Sequence, residues 1–114
     1  MDINPEQIYT RLESVGIEWS EANAKAELLH ECQKSELSEI TLGYLENGCK
    51  SMAEAESRAR ATERYKDYVR TMVAAKRLSN DAKVRYAAAQ AWFEGMRSKA
   101  ATDRQEMKTM PHTT

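Results

Sequence analysis

Between residues 70 and 99 the chain carries Arg70, Lys76, Arg77, Lys83, Arg85, Arg97 and Lys99 against only Asp81 and Glu94, a local formal charge of +5. Trp92 lies among them. Cations that track phosphates, interleaved with an aromatic ring on which a base can stack, are what sequence-tolerant binding of single-stranded nucleic acid requires. Lys and Arg also flank ordinary coiled-coil seams, so the stretch names a candidate surface and no more. Its candidate members are Arg70, Lys76, Arg77, Lys83, Arg85, Trp92, Arg97 and Lys99.

Other chemistry finds little support. His30 and Cys32 stand two residues apart on a helical stretch, hence on different faces, and His112 lies in the tail. No Cys or His cluster completes a ligand set, so neither a metal site nor a cofactor is expected. There is no glycine-rich phosphate loop, no Gly-x-Ser-x-Gly and no Ser, His and Asp set that a helical rod could bring into a cleft. The many carboxylates read as solvated helix faces with i,i+4 partners. The expectation is a binding protein, not an enzyme.

The charge is unevenly divided. Residues 1–49 hold ten acids against Arg11, Lys25 and Lys34, a formal −7, while residues 50–114 hold fourteen bases and eight acids, a formal +6. Such asymmetry suggests contact of the basic half with nucleic acid or an anionic surface. It equally suits an acidic helix lying against a basic one. Cys32 and Cys49 are too few for a disulfide framework, no signal peptide precedes them, and no apolar run approaches the ~18 residues of a membrane span. A cytoplasmic protein with free thiols and no membrane partner is expected.

The basic stretch sits on the element that organises the chain. Steps of four and three give Ala61, Tyr65, Tyr68, Met72, Ala75, Ser79, Ala82, Tyr86, Ala89, Phe93, Met96 and Ala100, with only Ser79 neither apolar nor aromatic. A period of 3.5 held over many turns marks a coiled-coil seam, because a straight helix drifts by about 20° per heptad. Large residues (Tyr65, Met72, Tyr86, Phe93) alternate with small ones (Ala61, Ala75, Ala82, Ala89), which lets two helices interdigitate. The seam tyrosines read as amphipathic core residues whose tips reach the bundle edge; the alternative is that bases stack on them. Since an extended helical chain of 114 residues buries little core, a homo-oligomer is expected, joined through Tyr65, Tyr68, Met72, Ala75, Ala82, Tyr86, Ala89, Phe93 and Met96.

The fold expected is all-α. Asn4 as N-cap, Pro5 at the first helical position and Gln7 completing a capping box start a short helix over about 5–15, which Gly16 stops. Trp19 reads as part of a hydrophobic staple before Ser20, the N-cap of a second helix over about 21–46 that Asn47-Gly48 ends. Ser51-Met52-Ala53-Glu54 is a further capping box, opening a long helix over about 52–107. Ser79-Asn80-Asp81 are weak helix formers, and a turn there would give a three-helix bundle instead. The heptad keeps phase through them, which favours the continuous helix. Residues 1–110 are expected to form a single helical domain, with 111–114 a disordered tail.

The order of parts resembles a known layout. An Ala-rich helix with Ala22-Asn23-Ala24-Lys25-Ala26-Glu27 and Gln33-Lys34-Ser35-Glu36 precedes a break, then Ser51-Met52-Ala53-Glu54-Ala55-Glu56, Tyr65-Lys66-Asp67-Tyr68-Val69 and a long helix with Tyr86 and Phe93 near its end. Over about residues 20–105 this is similar to the small helical recombination mediators of T-even-like phages, the UvsY type, and more loosely to short coiled-coil proteins of phage replication and recombination clusters. The resemblance implies a ring-like oligomer in the host cytoplasm that binds single-stranded DNA and helps load a recombinase. The strongly acidic first long helix departs from that family. A different class of reading is a protein-binding helical adaptor or inhibitor, such as a phage anti-defence protein, that meets a host or phage protein with its acidic face.

Overall fold

The computed structural model describes residues 4–109, all of them in helices or the short breaks between them. The expected disordered tail at 111–114 lies outside the described residues. Four helices follow in order: α1 (Pro5–Glu31), α2 (Gln33–Glu46), α3 (Met52–Arg60) and α4 (Glu63–Thr109). The all-α expectation holds. Three boundaries differ from the sequence reading, each for a local physical reason.

The first helix does start at Asn4, whose Oδ1 accepts from Glu6 N at 3.0 Å and whose carbonyl accepts from Gln7 and Ile8. It does not stop at Gly16, nor restart at Ser20, but continues to Glu31. Gly16 serves packing: a Cβ there would meet Cε2 of Tyr86 at 3.3 Å. The helix is interrupted at Cys32, where the Tyr68 hydroxyl donates to the Leu29 carbonyl at 2.6 Å. A side chain bonded into the helix ladder is a usual cause of such a kink. The expected helix over 21–46 is therefore the end of α1 followed by α2.

Asn47-Gly48 ends α2 as the sequence suggests. Gly48 takes φ +104, Cys49 N donates to Tyr44 O and Gly48 N to Leu45 O, the paired bonds of a Schellman motif. Ser51 then caps α3 by accepting from Glu54 N at 3.1 Å. Glu54 does not complete the box; its carboxylate pairs with Arg58 at 3.1 Å. The long helix expected from 52 is broken at Ala61-Thr62. There the Thr62 hydroxyl donates to Ala59 O at 2.6 Å and accepts from Tyr65 N at 3.1 Å, closing α3 and capping α4 with one side chain. Ser79-Asn80-Asp81 lie within α4, without a turn.

The described chain divides into two compact units. One comprises residues 20–81. Its core gathers Ile40 of α2, Ala59 of α3 and Tyr65 of α4, with Leu37, Tyr44 and Val69 packed around them. Ala59 and Ala55 are fully buried, so the small residues of α3 are what let it lie close to its neighbours. Buried Thr41 satisfies its hydroxyl on Leu37 O at 2.7 Å, and buried Ser79 donates to Asn23 Oδ1 at 3.3 Å.

The other unit comprises residues 4–19 and 82–109, one stretch each of α1 and α4. Tyr9 packs on Phe93 (ring centroids 5.9 Å, 56°) and Trp19 on Tyr86 (5.5 Å, 31°). As α1 advances its partners on α4 recede, so the two stretches run antiparallel. Ile8, Val15 and Ala82 are its buried apolar residues.

Candidate nucleic-acid interface

The heptad seam decides which side of α4 is left for a ligand. Tyr65 and Ala75 are buried and Tyr68 and Met72 part-buried in the first unit; Ala82 is buried and Tyr86, Ala89, Phe93 and Met96 part-buried in the second. Ala61 and Ala100, at the ends of the series, are exposed. Of the side chains assigned to an oligomer seam, Tyr65 packs with Ile40 of α2, Tyr68 reaches Leu29 of α1, and Tyr86 and Phe93 pack on Trp19 and Tyr9 of α1 in the same chain. The tyrosine tips find partners as well. Tyr65 accepts from Gln33 Nε2 at 3.1 Å, Tyr68 bonds Leu29, and Tyr86 accepts from Gln90 Nε2 at 3.1 Å.

All eight residues of the candidate surface are exposed. In the first unit Arg70 is committed to Asp67 at 2.6 Å, with Glu63 at 3.7 Å. Lys76 lines a groove beside Glu27, Glu31 and His30, an acidic setting for an anion. Arg77 has no carboxylate partner among the described residues.

In the second unit the arrangement is more ordered. Arg85, Trp92 and Lys99 recur at seven-residue intervals on α4, so they fall on one stripe, each about 10.5 Å along the axis from the next. Trp92 is 52% exposed, and Ala88 and Gly95 beside it leave its ring uncovered. Arg85 stands 4.0 Å from Glu18 with both side chains more than half exposed, a weak pair. Lys83 and Arg97 lie off this stripe, Lys83 Nζ 6.0 Å from the centre of the Trp19 ring and Arg97 over Phe93 at 5.9 Å.

The division between acidic and basic halves is partly met inside the chain. Arg64 bonds Glu36 at 2.8 Å and Glu39 at 3.3 Å, and the Glu36 hydrogen bond, followed by that of Glu39, pushes its pKa up. Arg64 did not stand out in the sequence, because its carboxylates lie 28 and 25 positions away. Thr62 carried a signal, a hydroxyl followed by Glu63, masked by the helix-favouring residues on either side.

Among the described residues no group of three or more His, Cys, Asp or Glu side chains is placed to hold a metal, and no helix is long and apolar enough to cross a membrane. Cys32 and Cys49 are both free. Compared with protein families, curated proteins and solved structures, the chain has no match.

Proposed function

We propose that this chain is a non-enzymatic helical binding protein that holds single-stranded DNA along the exposed side of α4, in the service of recombination or replication as the phage mediator resemblance implies. The observation that carries the DNA reading is the Arg85, Trp92, Lys99 stripe: an uncovered indole with a cation one heptad to either side. Such a stripe offers stacking to any base and charge to its flanking phosphates, hence affinity without sequence preference. Its three members are free of the seam, so binding needs no unfolding of the unit.

Fluorescence anisotropy of a labelled single-stranded oligonucleotide, titrated with the protein at about 50 and 200 mM salt, tests the reading. Retention at low salt with steep loss at the higher is expected, together with quenching of tryptophan emission. Absence of retention at the lower salt would remove the DNA reading and leave the exposed acids of α1 as the surface to pursue for a protein partner.

A further inference from the structure

We infer that the face of α4 opposite its seam is a docking surface for a second copy of this chain, in an antiparallel two-fold pair. This does not rest on the DNA reading. With Ala82, Tyr86, Ala89, Phe93 and Met96 turned inward, the reverse side of the same stretch presents Val84, Ala87, Ala88, Ala91 and Gly95, all exposed and all uncharged. Val84 is 67% exposed. Gly95 is harder to account for: glycine is among the poorest residues for a helix interior, and a Cβ at Gly95 meets nothing within 4 Å. Gly16, by contrast, is explained by the Tyr86 ring. A glycine that no contact of its own chain requires is suited to the close approach of another.

Charge identifies the occupant. Lys83 and Glu94 flank this face on one side, and neither is salt-bridged to a carboxylate or a base within the described chain. Two copies of α4 laid antiparallel about an axis near Ala88 and Ala89 set Lys83 of each against Glu94 of the other. The same two-fold brings Val84 of each copy within two residues of the level of the other's Gly95, larger against smaller on both sides of the axis. A parallel pair would instead set the Lys83 and Glu94 flank of each copy against the Arg85, Trp92, Lys99 flank of the other, cation beside cation at Lys83 and Arg85. The two-fold also leaves both Arg85, Trp92, Lys99 stripes on one side of the pair.

So short a contact falls at the weak end of specific interfaces, so association is measured by sedimentation equilibrium of the full chain up to about 1 mM. A concentration-dependent dimer is expected. Glu94→Lys should weaken it about tenfold or more, since two attractive pairs become two repulsive ones, and the double variant Lys83→Glu/Glu94→Lys should restore it. Gly95→Leu should abolish dimerisation with helicity by circular dichroism kept or raised, as its side chain meets open space within the chain. A wild-type protein that stays monomeric throughout, a Gly95→Leu variant that still dimerises, or a charge swap without rescue would each overturn the proposal.

Discussion

The ring edge of Tyr86 lies 3.3 Å from where a side chain on Gly16 would begin. One residue read as a helix terminator is thereby a helix interior residue, and one read as half of an oligomer seam is packed on its own chain.

Gly16→Ala sets helix propensity against crowding. Alanine gains about 0.8 to 1 kcal/mol in a helix interior, while Tyr86 must shift by a few tenths of an ångström, so thermal denaturation should register little net change. Gly16→Leu cannot be accommodated this way and should destabilise by about 1 to 3 kcal/mol. If the leucine variant melts as the wild type does, Tyr86 is not held against α1.

Much of this is legible in the sequence. The seam from Tyr65 to Met96 matches the inward face of α4, because a period held over several heptads reports one buried stripe whatever covers it. What covers it was not legible: the sequence does not say whether a seam meets its own chain or another. The breaks at Cys32 and Thr62 were missed for a related reason. Each depends on a side chain bonding the backbone, Tyr68 onto Leu29 from 39 residues away and Thr62 as a cap among good helix formers. The candidate surface fared unevenly, since an exposed cation reads the same whether or not a carboxylate such as Asp67 stands beside it.

Thr62 closes one helix and opens the next, so Thr62→Ala should cost about 0.5 to 2 kcal/mol as the loss of an N-cap. Thr62→Ser keeps the hydroxyl and should recover most of it. Chemical denaturation of the three proteins compares them directly; equal midpoints would mean that the cap contributes nothing.

Asn80 and Asp81 are exposed within α4, and replacing each with alanine should raise stability by a few tenths of a kcal/mol from propensity. Ser79 is different. It is buried and bonded to Asn23, so Ser79→Ala sets a similar propensity gain against a lost hydrogen bond of about 0.5 to 1.5 kcal/mol. Urea midpoints should rise for the first two variants and stay level or fall for the third.

Tyr68 has its pKa pushed above the ordinary value of 10.0, chiefly by burial and then by the neighbouring Cys32 and Glu36. The fold therefore favours the neutral phenol. Its contribution is fully present below pH 10 and is lost as pH rises through the higher folded value, because the unfolded chain ionises first. Denaturation midpoints should fall above pH 10, and Tyr68→Phe should flatten that part of the fall. The phenylalanine variant should also be less stable by about 0.5 to 1.5 kcal/mol at neutral pH, having lost the bond to Leu29. An alkaline fall that persists unchanged in the variant would assign it to other groups.

Charge and stacking along the proposed stripe respond to different substitutions. Binding of single-stranded DNA through phosphates weakens with salt at a log-log slope of about −0.7 for each phosphate neutralised. Arg85→Gln with Lys99→Gln should flatten the slope by roughly one unit or more, and glutamine, nearly as good a helix former, should leave the fold intact. Trp92→Ala should lower affinity by about 1 to 3 kcal/mol while the slope stays as it was. Trp92→Phe keeps a ring and should recover part of the loss. If the glutamine pair lowers affinity without changing the slope, the cations act through the fold and not on phosphates. If Trp92→Ala binds as tightly as the wild type, no base rests on the indole, and the stripe is electrostatic alone.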